Sequence, residues 1–190
     1  MEKNGDLFAD TDLDAIAHGV NIKGVMGGIA GTIASKYPEM HDYYRYVCRN
    51  NLLNGGDILP WKETNKPSVY NLATQINGGA DARYPLIKKS VKKMLKHAEA
   101  NGIDTIGIPE IGCGIGGLEL PKVTKIISKL ANKSPVTVTM YHYVPPKPKF
   151  NPKKTLDDLY KPGKDEDDWF TKAWGPEDWA DWPEDDHYSF

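Results

Sequence analysis

Three glycine-rich loops, each following an apolar run, are the feature that most limits the folds open to this chain. They are NIKGVMGGIAG (21–31), INGGADA (76–82) and GCGIGG (112–117). The runs before them, LDAIAHGV (13–20), SVYNLAT (68–74) and IDTIGIPEI (103–111), read as strands, the last of them central. DILPW (57–61) is a further strand, joined to 68–74 around the turn KETNKP, and PVTVTMYHYV (135–144) is the final one. Between them lie helical patterns. In 29–40, Ile29, Ile33 and Tyr37 share a face at four-residue spacing, and 41–51 continues as a second helical segment. In 84–102, Leu86, Val91, Met94, Leu95 and Ala98 form an apolar stripe, and Asn101–Gly102 supplies a C-cap. In 121–134, Pro121 suits a first helical turn. Strands alternating with helices predict a layered α/β domain with a largely parallel sheet. In such a sheet the loops after the strands converge on one edge, where ligands bind. Glycine lets the backbone come close to a ligand. The free N–H groups at the helix starts behind two of the loops favour an anion. The three loops together predict a cradle for a diphosphate.

Composition divides the chain. Residues 1–150 hold 19 Lys/Arg against 14 Asp/Glu, and residues 151–190 hold 5 Lys against 12 Asp/Glu, so a body of net +5 precedes a segment of net −7. PPKPKFNPKK (145–154) opens a Pro/Lys-rich linker. The acidic stretch that follows carries four of the five tryptophans. The organisation predicted is a folded domain over 1–144, a linker over 145–164 and an acidic, aromatic tail over 165–190, disordered or docking a protein partner. Two cysteines, Cys48 and Cys113, make no disulfide framework, and no His/Cys cluster has metal-ligand spacing. With a polar start and no long apolar run, the expectation is a soluble, cytoplasmic protein that binds no membrane and no metal. The lysines of 88–96 fit a solvated helix face, so nucleic acid is not an expected partner.

The loop at 112–117 spells the G-x-G-x-x-G of dinucleotide-binding domains. That reading needs the glycines early in the domain and an acid about 20 residues further on. Here the motif comes late, and position 132 is asparagine. A nicotinamide or flavin cofactor is therefore not expected.

Six stretches in order, GDLF (5–8), IAHGVN (16–21), GGIAGTIASKYPEM (27–40), NLATQINGGAD (71–81), IPEIGCGIGGLEL (108–120) and TMYHY (139–143), resemble a macro domain. They are most similar to the branch holding ADP-ribose-1″-phosphate phosphatases and deacylating ADP-ribosyl hydrolases. The resemblance implies a three-layer α/β/α sandwich with a mixed, mostly parallel sheet, an ADP-ribose cleft and no cofactor. It places Asp6 and Leu7 by the adenine, with Tyr141 near the adenine and proximal ribose. It places Asn21 at the distal ribose, and Gly27, Gly28, Ile29 and Ala30 along the distal ribose and diphosphate. Backbone donors to the diphosphate would come from Gly112, Cys113, Gly114, Ile115 and Gly116. Only MEKN precedes the first motif, so the first strand of the family is very short or absent.

The deacylating hydrolases use a lysine and an aspartate where this sequence has Gln75 or Ile76 and Gly116. Neither can form a lysyl adduct or move a proton. The resemblance to the phosphatases therefore implies removal of phosphate from ADP-ribose 1″-phosphate, with His18 and Asp81 as the candidate catalytic pair. The alternatives at those positions are a buried, hydrogen-bonded strand histidine, and a loop carboxylate or helix N-cap. A thiolate phosphatase built on Cys113 lacks its arginine, since position 119 is glutamate. The other functions open to such a domain are a non-catalytic ADP-ribose reader or nucleotide-signal sequestering module, and a protein de-ADP-ribosylating hydrolase.

Overall fold

A computed structural model of the chain describes residues 1–143. The linker and tail expected over 145–190 lie outside the described residues. Six strands form one sheet in the order β1 (Glu2–Asn4), β6 (Thr137–His142), β5 (Thr105–Pro109), β2 (Ala15–Val20), β4 (Ser68–Ala73) and β3 (Ile58–Trp61). Only β3 runs antiparallel, to β4. The first strand is present but three residues long, pairing Glu2 with Met140 and Asn4 with His142.

Side chains of a strand alternate between faces, and both faces here are covered. Ala15, Ala17, Tyr70, Leu72, Ile106 and Ile108 pack against α3 (Tyr84–Ala100) and α4 (Leu120–Ala131). Ile16, Val20, Val69 and Ala73 pack against α1 (Ile29–Lys36) and α2 (Pro38–Arg49). The result is the three-layer α/β/α sandwich. The helical run read as continuous over 29–40 breaks at Tyr37, because a residue before proline is driven out of the helical region; Tyr37 has φ −130° and ψ 68°. In α3 the buried stripe runs through Ile87 rather than Leu86, which is half-buried against Gly55. At the amino-terminal edge, Asp14 Oδ2 accepts from the N–H groups of Asp104 and Thr105 at 3.0 and 2.9 Å, tying the start of β2 to that of β5. No helix among the described residues is long and apolar enough to cross a membrane.

Candidate functional site

The loops after β2, β4, β5 and β6 enclose a cleft of about 380 Å³ at the carboxyl edge of the sheet. The first loop is held by Asn21. Its Nδ2 donates to Val25 O at 2.6 Å, and its Oδ1 accepts from the N–H groups of Lys23 and Val25 at 2.8 and 3.3 Å. Asn21 thus lines the cleft while its amide shapes the loop beside it. The loop ends at Gly28, the N-cap of α1, with φ 54° and ψ −133°, a backbone state that side-chain-bearing residues rarely adopt. Gly27, Gly28, Ile29 and Ala30 all line the cleft. Ile29, read from sequence as a core-face residue, is exposed, because it stands in the first turn of α1, over the cleft rather than over the sheet.

The loop after β5 is closed by Leu118 N–H donating to Gly112 O at 2.8 Å and Gly117 N–H donating to Gly114 O at 3.1 Å. The N–H groups of Gly114, Ile115 and Gly116 have no hydrogen-bond partner among the described residues. These three residues line the cleft with Gly112. Cys113 does not line it; its N–H donates to Glu110 O at 3.1 Å, and burial pushes its thiol up to about 11. At Gly116 a Cβ would lie 2.7 Å from Gly112 O and 2.8 Å from Ala82 Cβ. The loop has no room for a side chain there, and so none for the aspartate that the resemblance to deacylating hydrolases implies at this position.

The two residues expected to act as catalysts do not face the cleft. His18 is fully buried within β2, its Nε2 2.9 Å from Asn71 Oδ1 and its Nδ1 without a partner among the described residues. Burial pulls its pKa down to about 4, so it is neutral near pH 7. Asp81 brackets the middle loop rather than capping α3, whose N-cap is Arg83. Its Oδ2 accepts from the N–H groups of Ile76 and Asn77 at 3.0 and 2.8 Å, and its Oδ1 pairs with Arg83 at 2.7 Å. Those backbone bonds and the guanidinium hold the carboxyl below the usual range.

At the other end of the cleft, Tyr141 is part of the lining, and its hydroxyl donates to Asp10 Oδ2 at 2.5 Å. Asp6 and Leu7 lie outside the lining. Asp6 Oδ1 accepts from Phe8 N–H at 2.9 Å and caps the short 3-10 turn Leu7–Ala9, and Leu7 is buried in the core that also holds Tyr141. Sequence reasoning gave no role to Thr74, Glu110 and Tyr143, which also line the cleft. Thr74 Oγ1 is buried and has no partner among the described residues. A larger hollow of about 970 Å³ lies at the opposite edge, between the 60–68 segment and the end of α3. The glycine loops and the helix N-termini are not part of it, so the smaller cleft is the functional candidate.

Fold and cleft together define an α/β domain with a cleft lined by glycine-rich backbone at the carboxyl edge of its sheet. Residues 17–127 match the family model described as Macro domain, and the chain belongs to that family. It is 27% identical over 138 residues to the ADP-ribose glycohydrolase OARD1 of Bos taurus, covering 72% of this chain and 87% of that protein. It is also 27% identical over 142 residues to the ADP-ribose 1″-phosphate phosphatase of Lodderomyces elongisporus, covering 66% of this chain and 89% of that one. Among solved structures, the macrodomain of Mycobacterium tuberculosis DarG superposes with a TM-score of 0.68 at 25% identity, over 74% of this chain and 97% of that one.

Proposed function

We propose that the cleft binds ADP-ribose or a derivative through its diphosphate, and that the chain hydrolyses such a derivative by removing phosphate from ADP-ribose 1″-phosphate. The observation that carries the binding is the set of partner-free N–H groups at Gly114, Ile115 and Gly116, facing the glycine-rich start of α1 across the cleft. Backbone donors fixed in this way match a diphosphate and stabilise charge that develops on phosphoryl oxygens. The names of the relatives support hydrolysis of an ADP-ribose derivative. Gln75 and the crowded Gly116 favour the phosphatase over a lysyl-adduct hydrolase. In this reading His18 and Asp81 act by holding β2 and the middle loop in place; a water oxygen bonds to the phosphorus as its bond to the 1″-oxygen breaks, and a proton of that water ends on the departing sugar oxygen.

A second reading, a non-catalytic ADP-ribose module, is favoured by one observation. Among the described residues lining the cleft, the ionisable side chains are Glu110, Tyr141 and Tyr143, and none stands on a glycine loop. Phosphorus NMR of ADP-ribose 1″-phosphate incubated with the full chain separates the two. Release of inorganic phosphate supports the phosphatase. Tight binding with no release leaves the module, and no binding of ADP-ribose at millimolar concentration removes both. The division at 144 belongs to the same proposal, with 165–190 as a docking segment for a protein partner. Deleting 151–190 then leaves ADP-ribose affinity unchanged.

A further inference from the structure

Glu110 is the one carboxylate among the described residues lining the cleft. It follows directly on the last residue of β5, beside the end of β6. Its Oε1 lies 2.6 Å from His142 Nδ1, and the other ring nitrogen of His142 lies 3.3 Å from Glu2 Oε2 on β1. Three neighbouring strands thus contribute to one chain of groups, Glu2–His142–Glu110. Glu110 Oε2 has no hydrogen-bond partner among the described residues. The hydrogen bond to Glu110, and then that to Glu2, raise the pKa of His142, which favours an imidazolium shared between two carboxylates.

The order of groups along the edge gives this carboxylate a meaning. From the end of β6 come Tyr141 and Tyr143, from the end of β5 Glu110 and then Gly112 and Gly114–Gly116, and from the ends of β2 and β4 the remaining glycine loops. Under the ADP-ribose reading, on which this inference rests, the base lies against the tyrosines and the diphosphate on the glycine loops. The sugar joining base to diphosphate then passes Glu110. A vicinal diol offers two donors, and an ionised carboxylate is an acceptor only. An acid beside a nucleotide ribose accepts from its 2′-hydroxyl and repels a 2′-phosphate.

We propose that Glu110, oriented by His142, accepts from the hydroxyls of the adenosine ribose and makes the cleft select ADP-ribose over its 2′-phosphorylated counterpart. Glu110 is then a specificity-determining residue and His142 a positioning residue. Neither takes part in bond breaking at the distal ribose.

Calorimetry of the full chain with ADP-ribose and with 2′-phospho-ADP-ribose tests this. The wild-type chain is expected to prefer ADP-ribose by about tenfold or more. In Glu110→Gln, which keeps the shape and removes the charge, the ratio falls to within about threefold, chiefly because the 2′-phosphate is no longer repelled. His142→Gln falls between the two. The ratio is measured on one preparation at a time, so a loss of folded protein scales both affinities alike and leaves it unmoved. Equal affinities in the wild-type chain, or a ratio unchanged in Glu110→Gln, overturn the proposal while the ADP-ribose reading stands. Failure of both nucleotides to bind the wild-type chain overturns both.

Discussion

The hydroxyl of Tyr44 on α2 donates to the backbone carbonyl of Asn21 at 2.7 Å and lies 3.2 Å from the Oδ1 of the same residue. The helical layer thereby grips the residue that shapes the first glycine loop. Both residues are buried, so removing the hydroxyl leaves a carbonyl oxygen without its donor. Tyr44→Phe is expected to cost about 1–3 kcal/mol of stability and to weaken ADP-ribose several-fold. Urea denaturation and calorimetry measure the two effects. A variant with wild-type affinity would show that the first loop holds its shape without this grip.

Gly116→Ala tests the other side of the cleft. The added methyl meets Gly112 O at 2.7 Å, and that oxygen is backbone already bonded to Leu118 N–H. The loop must shift, and its N–H groups shift with it. A loss of about tenfold or more in ADP-ribose affinity is expected, since displaced donors lose charge-assisted bonds to the diphosphate. Thermal shift with and without ADP-ribose reads this as a reduced ligand-induced rise in the midpoint.

Asp81→Asn separates holding a loop from moving a proton. An amide keeps the size of the carboxylate, loses the ion pair with Arg83 and weakens acceptance from Ile76 and Asn77. The expected result is a lower thermal midpoint and weaker binding, with the turnover of saturated protein largely kept. Abolished turnover at unchanged affinity would instead return Asp81 to the chemistry.

His18 gives the stability of the domain a slope with pH. Its folded pKa of about 4 lies below the ordinary 6.5, so the unfolded chain takes up the proton first. The neutral imidazole contributes fully above about pH 6.5, and its contribution is lost as pH falls toward 4, by about 3 kcal/mol in total. His142 acts in the opposite sense, because its pKa is raised: its contribution is full below the ordinary value and is lost as pH rises through the folded one. Denaturation free energies measured from pH 7 to pH 4 are expected to fall for the wild-type chain and to fall less for His18→Asn.

Much of this was legible in the sequence because the loops are written in glycine and the strands in unbroken apolar runs. What the sequence did not reveal depends on which strands become neighbours and which face a side chain takes. His18 looked like a reactive group at a strand end. The period of β2 instead sets it on the face of Ile16 and Val20, under α1 and α2, where it bonds Asn71 of β4. Glu110 falls inside the strand read over 103–111, which in the structure ends at Pro109, and drew no role. It became notable only when the pairing of β5 with β6 brought His142, 32 residues further on, to its Oε1. Leu86 and Ile87 are adjacent apolar residues on one helix, and spacing alone does not decide which of them enters the core.

The donors at Gly114, Ile115 and Gly116 are peptide groups, and every residue except proline carries the same one. What selection must keep at such a site is the path of the chain and a few positions without side chains. The residues around it are free to drift over evolutionary time while recognition persists. Relatives that share about a quarter of their positions with this chain can therefore keep one fold while the activities they are named for, ADP-ribose glycohydrolase and ADP-ribose 1″-phosphate phosphatase, differ.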